Sequence, residues 1–220
     1  MKITLKNSLS RLGLFPAIDT ARQLPKIVRW LNGGFRGIAP SAIKRRVIHS
    51  YLRHYQLRTF VETGTHLGDT LAAVAQDEAL RAISIELADG YYAAATRRFA
   101  NYPNVELHHG DSGQLMPKIV AALKGPALFW LDGHYSGGST AKGALETPVS
   151  DELQAILSSP HGGNIILIDD VRCFDGTHDY PHLDQLLTVI RVDGRYHAEV
   201  SADILRLTPL NPEASHLSPV

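Results

Sequence analysis

The residues with the clearest chemical content are carboxylates spaced through the middle of the chain: Glu62, Glu86, Asp111, Asp132 and the pair Asp169-Asp170. Each closes or just follows a short apolar run, and such runs read as buried strands. A carboxylate at a buried strand end costs desolvation unless it meets a donor or a ligand. Its recurrence at successive strand ends therefore points to a ligand crevice. Asp132 and Asp169-Asp170 should end neighbouring strands about 4.8 Å apart. Three carboxylates with no cysteine pair nearby suit a hard ion, Mg²⁺ or Ca²⁺, rather than zinc. Such an ion would lower the pKa of a bound hydroxyl and orient its oxygen. Cys173 is the single cysteine, which excludes an intramolecular disulfide and any multi-cysteine metal site.

A second constellation lies between the first two acids. The run Phe60-Val61-Glu62-Thr63-Gly64-Thr65-His66-Leu67-Gly68-Asp69-Thr70 reads as a strand breaking into a glycine turn that opens a helix. Ile83-Ser84-Ile85-Glu86 then reads as a strand ending in an acid, 22 residues after Gly64. An α/β sheet holds an adenosine this way: glycines admit the ligand to the backbone, and the second-strand acid takes the ribose hydroxyls. A dinucleotide site wants glycine where His66 stands, and no phosphate-loop motif is present; Ser136 to Gly143 imitates one with the wrong spacing. A nucleoside bearing an amino-acid tail fits better.

The pattern Glu62-x-Gly64-x-x-x-Gly68 resembles the first motif of the class I S-adenosylmethionine (SAM) methyltransferases. The resemblance implies SAM as cofactor. Gly64 and Gly68 would line the methionine moiety, and Glu62 would fix that loop or the ligand's ammonium group. Glu86 would clamp the ribose. Asp111 and Ser112 would meet the adenine amino group, although Asp111 also reads as a plain N-cap of the helix after it.

The elements that must position these residues alternate. Strands are expected over 58–63, 81–87, 104–109, 126–132 and 164–170, with helices over 68–77, 88–100, 112–123, 148–158 and 181–191. Strands separated by helices imply a parallel sheet with right-handed crossovers. Two last strands, 196–201 and 203–208, lie too close for a crossover and should pair antiparallel. The expected fold is thus α/β, a Rossmann-like doubly wound, mostly parallel sheet with a C-terminal antiparallel pair. Residues 58–208 would form the SAM-binding domain and 209–220 a frayed tail.

Residues 1–57 form an N-terminal helical extension in this reading, interrupted at Pro16, Pro25, Gly33-Gly34 and Pro40. Its clearest helix runs from Ser41, taken as the cap, to His54. This segment carries 11 of the 22 Lys/Arg but only one of the 22 acids, Asp19. A basic arm could serve a phosphate-rich partner or pack on the acidic body or on a second subunit. Packing is the reading favoured, which makes a homo-oligomer plausible. The 44% apolar content supports a sizeable core in one domain. No apolar run has the length of a membrane helix, and no leader pattern opens the chain, so a cytoplasmic protein is expected.

The chemistry should lie after the fourth strand, in Trp130-Leu131-Asp132-Gly133-His134-Tyr135-Ser136-Gly137-Gly138. Asp132 with Asp169-Asp170 resembles the macrocin-type metal-dependent sugar O-methyltransferases. The longer runs are similar to an uncharacterised bacterial methyltransferase-like family, over about residues 44–172. The first resemblance implies Mg²⁺ held by Asp132, Asp169 and Asp170 beside sugar hydroxyls. Where those enzymes carry a second acid two residues on, this chain has His134. A histidine is poised near neutrality, so His134 reads as general base with Asp132 beside it. Tyr135 would position the acceptor, and Ser136 to Gly143 would be a lid. No proline pair follows Asp132, which argues against methylation of nucleic-acid bases. The expected function is O-methylation of a small-molecule or glycan hydroxyl. The competing readings are a SAM- or nucleoside-binding module without transfer activity and a metal-dependent enzyme of another kind on this fold.

Overall fold

The computed structural model describes residues 15–35, 37–133 and 147–211. Short, wholly buried apolar runs such as Leu128–Leu131 and Ile165–Ile168 can be satisfied only between two helical layers. They form one seven-stranded sheet, order β3-β2-β1-β4-β5-β7-β6. β1 (Thr59–Thr63), β2 (Arg81–Glu86), β3 (Val105–His109), β4 (Leu128–Leu131) and β5 (Ile165–Ile168) run parallel. β6 (Tyr196–Ser201) and β7 (Ile204–Pro209) add the antiparallel pair expected from their spacing. Ala202 and Asp203 join them, both at positive φ, the backbone a tight hairpin demands.

Alternation along each strand divides the core in two. Val61, Phe129 and Ile166 face one layer, built from α5 (Ser112–Ala121), α6 (Val149–Leu157) and α7 (Leu183–Asp193). Phe60, Trp130 and Leu167 face the other, built from α2 (Ser41–His54), α3 (Asp69–Val74) and α4 (Asp89–Phe99). Ile48 and Leu52 of α2 are fully part of this second core. A stretch read as an extension therefore supplies one of the covering helices.

Three local expectations need correction. Pro25 does not break the chain: α1 runs from Phe15 to Asn32 through it, because one proline removes one amide donor and the flanking turns continue. It ends instead at Gly34, at φ 69, where Gly34 N donates to Leu31 O and Phe35 N to Trp30 O. Trp30 and Phe35 pack edge to face across this terminus, completing a Schellman stop. Ser41 is not a cap: the cap position is Pro40, and Gln23 of α1 reaches across to accept from Ala42 N at 3.0 Å. β5 stops at Ile168 rather than running to Asp170, because Asp170 adopts a left-handed conformation, φ 56, and the chain winds into a 3₁₀ turn, Val171–Cys173. The tail from residue 212 lies outside the described residues. Among the described residues, no helix is long and apolar enough to cross a membrane.

Asn164 sets where β4 and β5 begin. It is fully buried; its Oδ1 accepts from Ala127 N at 3.0 Å and its Nδ2 donates to His161 O. Asn164→Ala should leave the Ala127 amide buried and unpartnered. The expected loss is about 1–3 kcal/mol, read as a lower urea midpoint at unchanged m-value.

Candidate active site at the strand ends

Strand order reverses between β1 and β4, so the loops leaving their carboxyl ends diverge and open a crevice. Two glycines stand here because a side chain would not fit, against backbone at Gly64 and against side chains at Gly133. Gly64 has φ +80, and a Cβ on it would stand 2.5 Å from the Asp132 carbonyl oxygen. A Cβ on Gly133 would meet Thr63 Oγ1 at 2.9 Å. Gly68, at φ +71, is closed off by α4 instead: its Cβ would strike the Phe99 ring at 2.8 Å.

The acids expected at this crevice are there, and each is held differently. Glu62 is 2% exposed and accepts from Ser84 Oγ at 2.7 Å. Ser84 Oγ in turn lies 2.5 Å from Thr65 Oγ1, so the hydroxyls relay from the glycine loop to the acid. Burial, with Asp132 and Glu86 nearby, pushes the Glu62 carboxyl up to about 8. Glu86 ends β2 with both oxygens engaged by backbone: Oε2 accepts from His66 N at 2.7 Å and Oε1 from Ala88 N at 2.8 Å. Each oxygen keeps a further lone pair, so the carboxylate is oriented, not consumed. Asp111 caps α5, accepting from Gly113 N at 2.9 Å.

Ser112 does not face open space. Its hydroxyl donates at 2.5 Å to Glu152, which is 1% exposed at the start of α6. Burial pushes Glu152 up to about 7, with Asp111 and Asp132 adding to the rise. Read from sequence, Glu152 is a helix-start acid serving the dipole. The signal was nonetheless present: it sits three after Val149 and four before Ile156, inside the buried stripe of α6.

Asp169 and Asp170 meet a partner that sequence spacing did not show. Lys44, from α2, places its Nζ 2.6 Å from Asp169 Oδ2 and 3.0 Å from Asp170 Oδ1. Consecutive strand residues point to opposite faces; the left-handed turn at Asp170 cancels that alternation and lets both carboxylates reach one ammonium. Arg172 also holds Asp170, at 2.7 Å. Burial, then Asp132 and Asp170, push Asp169 up to about 7. Asp170 stays below the usual carboxylate range: burial opposes this, but Arg172 and Lys44 outweigh it. Lys44 is held above its usual value, Asp169 and Asp170 outweighing its burial. Among the described residues, no group of three or more His, Cys, Asp or Glu is set to hold a metal ion. Two of the three carboxylates expected to bind a divalent ion thus each turn one oxygen to an ammonium, an arrangement that suits this internal cation and not the ion. His134, Tyr135 and the glycine-rich stretch to Gly143 lie outside the described residues.

The buried Glu62 makes stability depend on pH. Its folded pKa of about 8 lies above the ordinary 4.5, so the folded state keeps a proton that the unfolded chain gives up. The contribution is fully present below about pH 4.5 and is lost as pH rises through about 8, at no more than about 1.4 kcal/mol per pH unit. Glu62→Gln, which preserves an acceptor for Ser84, should flatten that fall. Melting temperatures of both proteins at pH 5 and pH 8 check it: an unchanged difference between the two pH values would remove Glu62 as the cause.

No protein-family model matches this chain, and no curated protein sequence matches it. Solved structures do match. The O-methyltransferase TomG from Streptomyces achromogenes, involved in tomaymycin synthesis and solved with SAM, is 21% identical over 78% of this chain and 81% of its own, with a TM-score of 0.52. An O-methyltransferase from Bacillus cereus in complex with S-adenosylhomocysteine (SAH) is 15% identical over 87% of this chain and 97% of its own, TM-score 0.58. The SAH-bound Podospora anserina methyltransferase PaMTH1 is 15% identical over 95% and 88%, TM-score 0.58. What the chain shares with them is the fold, a Rossmann-like, mostly parallel sheet.

Proposed function

We propose that this protein is a SAM-dependent O-methyltransferase acting on a hydroxyl of a sugar, glycan or natural product. The observation that carries the reading is Glu86, held by the amides of His66 and Ala88 at the end of β2, beside a left-handed Gly64 packed against the β4 loop. That cradle has acceptors a nucleoside needs: a preoriented carboxylate for ribose hydroxyls and Asp111 at the next strand end for the base, beside a turn where only glycine fits. The fold shared with SAM- and SAH-bound methyltransferases agrees with it. When bound, SAM supplies a methyl group on a positively charged sulfur.

The chain's own work is to orient and deprotonate. Asp132 leaves β4 toward the crevice and would hold the acceptor hydroxyl in line. His134, two residues further on, would take its proton as the oxygen–carbon bond forms and the carbon–sulfur bond breaks. Lys44 locks Asp169 and Asp170, so the wall beside the acceptor is rigid and its excess negative charge is partly neutralised. No step needs a divalent ion.

Two measurements test this. SAH titrated into the protein calorimetrically should bind in the micromolar range. Glu86→Gln should weaken it about tenfold, or about 1.4 kcal/mol, and Glu86→Ala more, with far-UV circular dichroism unchanged. A wild-type protein that ignores SAH would end the methyltransferase reading. For the cation, Mn²⁺ followed by electron paramagnetic resonance should stay free beside the wild type and bind the Lys44→Met variant, whose Asp169 and Asp170 are released. Tight Mn²⁺ binding by the wild type would return the ion to the site.

A further inference from the structure

A second cavity lies at the other end of the sheet, along the outer side of α2 and under α1. Its walls include Leu57 and Arg58, which lead into β1, and Asp77 and Leu80, which precede β2. It is therefore at the amino ends of the strands, opposite the crevice just described. Its volume is about 860 Å³, within the range of about 300–1,000 Å³ typical of small-molecule sites.

The charges lining it are one-sided. Arg45, His49 and Arg53 recur every four residues on one face of α2, and Arg46 and Arg58 join them; Asp77 is the one acid among the described lining residues. His49 records the field: burial, then Arg53 and Arg45, hold its imidazole below the usual range. Leu52 and Leu57, both buried, and Leu80 give the cavity an apolar floor.

We propose that this cavity binds a small polyphosphorylated ligand, Arg46, Arg53 and Arg58 taking adjacent phosphates and the apolar floor taking the remainder. Guanidinium groups pair with phosphate oxygens through two parallel hydrogen bonds, and several converging on one space favour clustered over single negative charge. A single-stranded nucleic acid fits less well, because the described lining offers no aromatic side chain besides His49 on which bases would stack. The enclosure by α1 equally disfavours a flat membrane. This site is independent of the methyl-transfer reading.

The test uses the full chain saturated with SAH, so that nucleotides cannot report on the strand-end crevice. Inorganic tripolyphosphate and ADP are titrated by calorimetry at about 0.1 M salt, with AMP and sulfate as single-charge-centre controls. Tripolyphosphate should bind at least tenfold more tightly than sulfate, and ADP more tightly than AMP. The His49 Cε1–H resonance, assigned with His49→Gln, should titrate at higher pH in the complex. Arg46→Gln and Arg53→Gln, both at exposed positions, should each weaken binding several-fold while leaving the melting temperature unchanged. Tighter binding of ADP than of tripolyphosphate would identify a nucleotide; the reverse would identify a free polyphosphate. Binding indifferent to both arginine variants, or an unmoved His49 resonance, would overturn the proposal. So would tight binding of single-stranded RNA or anionic vesicles with none of the short phosphates.

Discussion

Carboxylates buried at the carboxyl ends of parallel strands are costly, and much of the local structure around the crevice answers that cost. Removing water from a carboxylate is tolerated only where donors replace it. Glu62 receives a serine hydroxyl, Glu86 two backbone amides, Glu152 another serine hydroxyl, and Asp169 and Asp170 an ammonium. None of these donors comes from the acid's own strand or helix. Each acid therefore ties its own element to another: β1 to β2, β2 to the glycine loop, α6 to α5, and the end of β5 to α2.

This arrangement explains why the crevice can be both charged and rigid. The carboxyls of Glu62, Glu152 and Asp169 are raised to between about 7 and 8, first by burial and then by Asp132 and other neighbouring acids. Groups so poised change charge near neutrality, which is where a site handling a hydroxyl proton would want them. The close approach of Gly64 to the Asp132 carbonyl holds the two diverging loops at fixed spacing.

α2 stands between the two ends of the molecule. Its inner face carries Ile48 and Leu52 into the core, its first turn delivers Lys44 to the strand-end carboxylates, and its outer side carries Arg45, His49 and Arg53 along the second cavity. The basic character of the first 57 residues is thus divided between two jobs in space. Lys44, which neutralises acids of the body, fits the packing expected for this segment. The arginines beside it line a cavity with a single acid among its described residues.

Much of the architecture was legible in the sequence because it rests on local signals. Buried strands announce themselves as apolar runs, and Ala202-Asp203 leaves no room for a crossover between β6 and β7. Asp111 was readable as an N-cap, and the strand-end position of Glu86 followed from the glycine turn and the next apolar run. Signals that depend on neighbours in space were not legible. Gln23 replacing Ser41 as the donor's partner at α2, the left-handed turn that brings Asp169 and Asp170 to one side, and Lys44 lying 125 residues before Asp169 are all tertiary facts. Strands, helices and strand-end acids could be read along the chain, since they follow from periodicity and desolvation. Which cation faces which carboxylate emerges on folding, because that choice is made by side chains whose proximity leaves no periodic trace along the chain.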